Sequence, residues 1–152
     1  MNLRPLIATA LLLLPGAMTW GQQPKPAVAS LDHVALYVVD LDRSVSFYKS
    51  LFGFSEIKAP FPIARWLVAG NGLTLHIVSG RTKPLENTKW DHFALSCPDM
   101  DQMIAVLAAN KVPWTDMEGN HAPQIRPDGI KQIFVRDPDG YWIEVNDMLK
   151  AR

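Results

Sequence analysis

Asp32-His33-Val34-Ala35-Leu36 and Asp91-His92-Phe93-Ala94-Leu95 are two versions of one short segment, written 59 positions apart. At the same spacing, Asp40-Leu41-Asp42 follows the first copy and Asp99-Met100-Asp101 follows the second, and an amphipathic stretch begins after each. A single duplication favours two packed copies of one supersecondary unit, because a solenoid needs at least three repeats to bury its faces. The repeat therefore predicts two histidines at equivalent positions of two equivalent strands.

The N-terminal segment is predicted to be a secretory signal peptide, residues 1–21, followed by a linker, residues 22–30. Arg4 lies in a short positive region, and the apolar run from Leu6 to Leu14 ends before a proline and a glycine. This run is shorter than the roughly 18 apolar residues that a membrane-spanning helix requires. We therefore expect a periplasmic or secreted protein without stable membrane association after cleavage.

One domain is expected over residues 31–148, with a first module at 31–80 and a second at 89–148. The formal net charge is zero, and no basic stripe indicates nucleic acid as a partner. The single Cys97 cannot form a disulfide within the chain. A small molecule is the expected partner.

Both modules show the pattern of a strand, a helix and further strands, which predicts an α+β fold of paired βαβββ units. In the first module we expect a strand at 31–39 and a helix at 43–52 with Asp42 as N-cap. In the second we expect a strand at 91–97 and a helix at about 102–110 capped by Asp101, with a loop at 116–128. The remaining strands are predicted at 54–58, 65–69, 73–79, 131–136 and 141–146.

The last strand of each module carries a polar residue at the same place. Gly72 precedes His76 by four residues, and Gly140 precedes Glu144 by four. Strand alternation places both polar side chains opposite their aliphatic neighbours, and it gives the histidines of the two opening strands a common face. We therefore predict that four strands carry toward one concave face the side chains of His33, His76, His92 and Glu144.

Three imidazoles and one carboxylate suit one divalent metal ion such as zinc, nickel, iron or manganese. An isolated histidine in a strand is more often structural, but chance seldom places two of them at equivalent positions of a repeat. His76 is either a fourth ligand or an acid-base group beside the metal.

The segment from Leu31 to Met148 resembles the vicinal oxygen chelate superfamily, also called the glyoxalase, bleomycin resistance protein and extradiol dioxygenase superfamily. The resemblance implies paired βαβββ modules that form a curved mixed sheet around a metal, usually in a homodimer. It rests on four stretches: Leu31-Asp32-His33-Val34-Ala35-Leu36, Asp42-Arg43-Ser44-Val45-Ser46-Phe47-Tyr48, Trp90-Asp91-His92-Phe93-Ala94-Leu95 and Val135-Arg136-Asp137-Pro138-Asp139-Gly140-Tyr141-Trp142-Ile143-Glu144.

The resemblance also implies roles for single residues. His33 and His92 match the metal ligands of the two opening strands, and Glu144 matches the last ligand, which also acts as a base in glyoxalase I. His76 departs from glyoxalase I, where the same position is Glu. We therefore expect an exported, metal-dependent lyase or isomerase, similar to lactoylglutathione lyase. It would act on vicinal oxygens by metal-assisted proton abstraction, with Glu144 or His76 moving the proton.

Three alternatives within the same superfamily stay open. An extradiol Fe(II) dioxygenase is disfavoured because Phe134 stands where its signature has a tyrosine. A fosfomycin-resistance transferase would need phosphonate-binding cations, for which Arg126, Lys131 and Arg136 are the candidates. A metal-free binding protein of the bleomycin-resistance type is disfavoured by the intact ligand set. The sequence also leaves open whether a site lies within one chain or between two.

Overall fold

The computed structural model describes residues 29–151 of the chain. The residues from Leu31 onward form one compact unit. The predicted signal peptide, and the linker apart from Ala29 and Ser30, lie outside the described residues. Within residues 29–151, no helix is both long enough and apolar enough to cross a membrane.

The first module consists of one helix and a four-stranded mixed sheet. The sheet order is β1-β4-β3-β2, with β1 parallel to β4 and the other neighbours antiparallel. The elements are β1 His33–Val38, α1 Leu41–Phe52, β2 Ser55–Ile57, β3 Ala64–Val68 and β4 Thr74–Ser79.

The second module repeats this order with a larger sheet. Its strands run β5-β9-β8-β6, β7 pairs with β8, and β5 is parallel to β9. The predicted α+β fold of two equivalent modules is confirmed, while the short β6 and β7 were not predicted. The elements are β5 His92–Ser96, α2 Met100–Ala109, β6 Trp114–Thr115, β7 Gln124–Ile125, β8 Lys131–Arg136, β9 Trp142–Asn146 and a 3₁₀ helix Met148–Ala151.

Both helices begin two or more residues earlier than predicted. Asp40, and not Asp42, is the N-cap of α1, and its side chain accepts a hydrogen bond from the backbone N–H of Arg43. Asp99 replaces the predicted Asp101 in the same way at α2. The second aspartate of each pair lies in the first helical turn, where its negative charge interacts favourably with the helix dipole.

The two modules share one hydrophobic core. Leu36 and Ile77 face it from the first sheet, and Ile143 and Val145 face it from the second. Because side chains alternate along a strand, the polar residues between these positions point away from this core. One face of each sheet therefore packs in the shared core, and the face that carries the polar residues points away from it. Its other buried members include Val38, Val45, Tyr48, Leu51, Leu67, Leu75, Leu107, Ile133 and Val135.

The turn before β9 joins the second module to the first. The Tyr48 hydroxyl donates a hydrogen bond of 2.6 Å to Asp137, and the backbone N–H of Val39 donates one of 2.6 Å to Asp139. The hydroxyl of Ser44 also donates to Asp139. Both carboxylates are at most 5% exposed, so these donors replace the water that the charges lose.

A glycine is required at the end of this turn. Gly140 has a φ of 90°, and a Cβ built on it would lie 2.1 Å from the carbonyl oxygen of Leu85 in the segment between the modules. The same segment is held by a 2.6 Å hydrogen bond from the Leu85 N–H to the carbonyl of Asp139. The turn thus contacts both the first module and the connector.

Replacing Tyr48 by Phe is expected to destabilise the protein by about 1–2 kcal/mol, because Asp137 loses one of its hydrogen-bond donors. Burial raises the pKa of Asp137, and the Tyr48 hydrogen bond opposes that rise by stabilising the carboxylate. Urea unfolding of Tyr48→Phe measures the loss. Tyr37→Phe is the control, since the Tyr37 side chain is largely exposed and its hydroxyl donates no hydrogen bond to a described residue. Equal stability of the two variants would contradict the role of Tyr48.

Arg65 on β3 joins two strands and the helix of the first module. It donates to both carboxylate oxygens of Glu56 on β2, each at 2.6 Å, and to Asp42 on α1. These hydrogen bonds outweigh the effect of burial and, with Lys49, lower the pKa of Glu56 from 4.5 to about 2. The carboxylate is therefore ionised in the folded state at pH values where it is protonated in the unfolded chain.

The stability that Glu56 contributes should be present above pH 4.5 and should be lost as the pH falls toward 2, because its folded-state pKa is the lower one. Glu56→Gln should therefore be less stable than the wild type at pH 6, and the difference should shrink at pH 2.5. Thermal unfolding at both pH values measures this. Glu86→Gln, at an exposed position without a described ion pair, should show no such trend. A pH-independent difference for Glu56→Gln would show that the effect is not electrostatic.

Candidate metal centre

His92 and Glu144 form a donor pair on two neighbouring strands of the second sheet. Nε2 of His92 lies 3.4 Å from Oε2 of Glu144. The other ring nitrogen, Nδ1, faces the carbonyl oxygen of Lys89, which can only accept a hydrogen bond. Nδ1 therefore carries the hydrogen, and the lone pair of Nε2 is directed to the side of Glu144.

The pair has the spacing of two ligands of one metal ion. Two donors that each lie about 2.1 Å from an ion in tetrahedral geometry are about 3.4 Å apart. Glu144 is only 8% exposed, so its carboxylate is shielded from water on most sides. An imidazole nitrogen and a carboxylate oxygen suit a zinc, nickel, iron or manganese ion by chemistry as well as by distance.

The carboxylate of Glu144 is held in one orientation by its neighbours. The amide Nδ2 of Asn146 donates a hydrogen bond of 2.7 Å to Oε1, and Nη1 of Arg126 lies 3.7 Å from the same oxygen. The amide is fixed in turn because its Oδ1 accepts a hydrogen bond of 2.8 Å from the Ser96 hydroxyl. Oε1 is thus occupied, and Oε2 remains on the side of His92.

The first module carries a pair of stacked imidazoles. The rings of His33 and His76 lie 3.9 Å apart at 15°, and the ring of Trp66 stacks on the far side of His76 at 4.1 Å and 4°. Nδ1 of His33 is 2.8 Å from a carboxylate oxygen of Asp32. Nε2 of His33 is therefore the nitrogen left for a metal, as in His92.

Stacking prevents His33 and His76 from binding one ion in their present orientations. A metal ion lies in the plane of each imidazole that ligates it, and two nearly parallel planes have no common point near the rings. One ring must rotate before both can be ligands. Burial and then the nearby His33 lower the pKa of His76, so the neutral form is favoured, which suits either a ligand or a proton acceptor.

The structure brings the four predicted side chains together as two pairs. Both pairs project from the sheet faces that point away from the shared core. Within residues 29–151 of a single chain, no three His, Cys, Asp or Glu side chains are close enough together to hold a metal. Binding of one ion by all four residues stays a prediction.

Asn146 and Lys89 were not identified from the sequence. Asn146 lies two residues after Glu144 on the same strand, so strand alternation alone places it on the same face. Lys89 contributes a backbone carbonyl, a role that no side-chain pattern reveals. The repeated aspartates before the two histidines suggest one shared role, yet only Asp32 contacts the following imidazole in the described residues.

The three candidate phosphonate-binding cations do not form a cluster. Arg126 lies beside Glu144, whereas Arg136 donates to the backbone carbonyls of Gly140 and Leu85. Lys131 points to the opposite face of β8 from Phe134, because side chains alternate along the strand and Lys131 shares its face with Ile133. Phe134 pairs with Glu144, so Lys131 does not face the side of Glu144.

Residues 30–145 match the Glyoxalase/Bleomycin resistance protein/Dioxygenase superfamily. The chain belongs to this superfamily. The superfamily proteins that it resembles include Glyoxylase I 4 of Arabidopsis thaliana, with 26% identity over 78% of this chain and 70% of the relative. Metallothiol transferase FosB of Shouchella clausii is also 26% identical, over 78% of this chain and 80% of the relative. The resemblance expected from the sequence motifs is confirmed.

The fold of this superfamily member is also found in solved structures. The fosfomycin resistance protein FosX of Listeria monocytogenes, complexed with Mn(II) and a sulfate ion, superposes with a TM-score of 0.66. The match covers 80% of this chain and 91% of the FosX chain at 20% sequence identity. It supports the fold assignment.

Asn146→Ala is expected to weaken metal binding about 10- to 100-fold, because Glu144 loses the donor that orients it. Competition with a chromogenic chelator, using Mn(II) and Zn(II), measures the affinity. Asn110→Ala is the matched control, since Asn110 caps α2 and its amide donates to the Val106 carbonyl. If both variants bind metal as tightly as the wild type, Asn146 does not orient a ligand.

Proposed function

We propose that the protein is a metal-dependent, glyoxalase-like lyase or isomerase that acts on a small substrate with vicinal oxygens. The observation that carries this proposal is the His92 and Glu144 pair, with its 3.4 Å spacing and its fixed imidazole tautomer. The family relationship supports an enzyme of this superfamily, because relatives include a glyoxylase I and a metallothiol transferase. The reaction itself is proposed from the donor set.

The ligands of the proposed metal are His33, His92 and Glu144, with His76 as a fourth ligand or an acid-base group. A bound divalent ion polarises the oxygens of the substrate and stabilises the negative charge that develops after loss of a proton. The Listeria FosX structure holds Mn(II), which supports a divalent ion here. Zinc, nickel, iron and manganese all suit these donors.

The groups that are able to accept a proton from carbon are Glu144 and His76. Both lie on central strands of their sheets, so their positions are fixed by the ladder of hydrogen bonds. Glu144 is buried and lies opposite Phe134 of the neighbouring strand β8. This burial limits the access of water to the carboxylate. This shielding limits proton exchange between the carboxylate and solvent.

A second copy of the chain is proposed to complete each site, with His33 and His76 from one copy and His92 and Glu144 from the other. The two pairs point away from one core, so a single chain leaves them separate. Among the strands of residues 29–151, β1 and β5 each pair on one side only, and their other edges border a groove of about 530 Å³. Large apolar side chains are also exposed, such as Phe61 at 60% and Trp90 at 78%. A homodimer would cover such surfaces.

The proposed substrate is described only by its vicinal oxygens. The predicted signal peptide implies action in the periplasm or outside the cell, where a glutathione-derived substrate is not the expected one. We therefore propose the reaction class and not lactoylglutathione lyase activity.

Metal analysis of protein purified without added metal, followed by a turnover screen, tests the function. The screen contains hemithioacetals, catechols and fosfomycin. We expect about one divalent ion per chain and isomerisation of a hemithioacetal or a related hydroxycarbonyl compound. Tight iron binding with oxygen uptake on catechol would instead establish a dioxygenase, and full metal occupancy without any turnover would establish a binding protein.

Mixing two inactive variants tests whether the site lies between two chains. His33→Ala and Glu144→Ala should each lack activity, because each removes one ligand from every site. After unfolding and refolding together, half of the dimers should be mixed, and each mixed dimer should contain one intact site of its two. About a quarter of wild-type activity and tight metal binding should return. A site within one chain would give no recovery, and separately refolded variants serve as the control.

A further inference from the structure

Arg126 lies beside the candidate metal ligand Glu144 and also forms an ion pair with Asp128. Its Nη1 is 3.7 Å from Oε1 of Glu144, and its Nη2 donates a hydrogen bond of 2.6 Å to Asp128. The bond to Asp128 is the only hydrogen bond that its side chain makes to the described residues, and it uses one of five N–H groups. The side chain is 31% exposed, whereas Glu144 is 11% exposed. The guanidinium is therefore open to solvent at the edge of the site.

A second cation without a carboxylate partner lies on the same sheet face. Nζ of Lys89 donates to Thr115 and to the backbone carbonyls of Asp116 and Met117, all of which are neutral oxygens. It lies 5.3 Å from the centre of the Trp142 ring. Among the described residues it has no ion pair, and its positive charge adds to that of Arg126 on this face.

The charge of this face changes when Glu144 is used as a ligand. The carboxylate would then share its charge with the divalent ion, and Asp128 would be the remaining carboxylate partner of Arg126. The planar guanidinium matches the two oxygens of a carboxylate or phosphonate, and such charge-assisted hydrogen bonds are among the strongest in proteins. Asp128 holds one N–H group of Arg126, and the other N–H groups are left for an anionic group of the substrate.

We propose that Arg126 binds an oxyanion of the substrate, next to the vicinal oxygens that the metal centre receives. The substrate is thus an anionic hydroxy or oxo compound. Arg126 is a specificity-determining residue. Lys89, which contacts Thr115 and Trp142, adds a second positive charge on the same sheet face. This inference rests on the proposed function for the position of the vicinal oxygens. The binding of an anion by Arg126 does not depend on that function.

A test without metal uses Glu144→Gln, which removes the competing carboxylate charge and keeps the shape of the side chain. The probes are 3,4-dihydroxybutanoate and its amide, which share a vicinal diol and differ in charge. Calorimetric titration should show that the Glu144→Gln protein binds the acid about 10- to 100-fold more tightly than the amide. A third probe, 2,3-dihydroxypropylphosphonate, shows whether a phosphonate or a carboxylate is preferred.

The double variant Glu144→Gln/Arg126→Gln should bind the acid and the amide within about threefold of each other. The matched control is Glu144→Gln/Arg43→Gln, because Arg43 is exposed on α1 and makes only a 3.4 Å hydrogen bond to the Pro138 carbonyl. It should keep the full preference for the acid. Thermal unfolding of all three proteins confirms that they are folded.

The proposal would be overturned if the double variant Glu144→Gln/Arg126→Gln still preferred the acid. It would also be overturned if the single variant Glu144→Gln showed no preference for the acid. The same titrations on metal-loaded protein should again show a preference for the acid of about 10- to 100-fold in the wild type. The metal-loaded Arg126→Gln protein should bind the acid and the amide within about threefold of each other. Failure of the wild type to take up metal would contradict the proposed function alone, since the metal-free titrations report on Arg126 independently.

Discussion

The hydrogen bonds between the Asp137-to-Gly140 turn and the first module fix how the two halves of the chain meet. The carboxylates of Asp137 and Asp139 are buried and accept hydrogen bonds from donors that include the Tyr48 and Ser44 hydroxyls. A buried carboxylate without such donors would cost several kcal/mol, so the turn tolerates few other placements. The shared core forms on one side of both sheets as a consequence.

This arrangement separates two pairs of polar side chains that the duplication made equivalent. His33 corresponds to His92, and His76 corresponds to Glu144, but the chemistry of the pairs differs. The first pair is two imidazoles stacked on Trp66, and the second is an imidazole beside a carboxylate. Glu144, Arg126 and Lys89 all belong to the second module, so that module would supply most of the charge of the proposed site.

The sequence predicted what depends on local pattern and on the repeat. The 59-residue repeat predicted the two modules. Strand alternation predicted the sheet faces that carry the side chains of His33, His76, His92 and Glu144. The helix starts were wrong because two aspartates two residues apart are both good N-caps, and only the chain direction before the helix selects between them. The separation of the pairs was not predictable, since it depends on how the turn packs against α1.

The structure also bears on whether His76 is a ligand or an acid-base group. As a ligand it would have to leave the stack between His33 and Trp66, which costs ring contacts on both of its faces. Glu144, by contrast, already presents Oε2 toward His92 while Asn146 holds Oε1. Oε1 is thus already occupied by the amide, and Oε2 is the oxygen that is left for an ion. The geometry therefore favours a division of roles, with His33, His92 and Glu144 as ligands and His76 as the group that moves the proton.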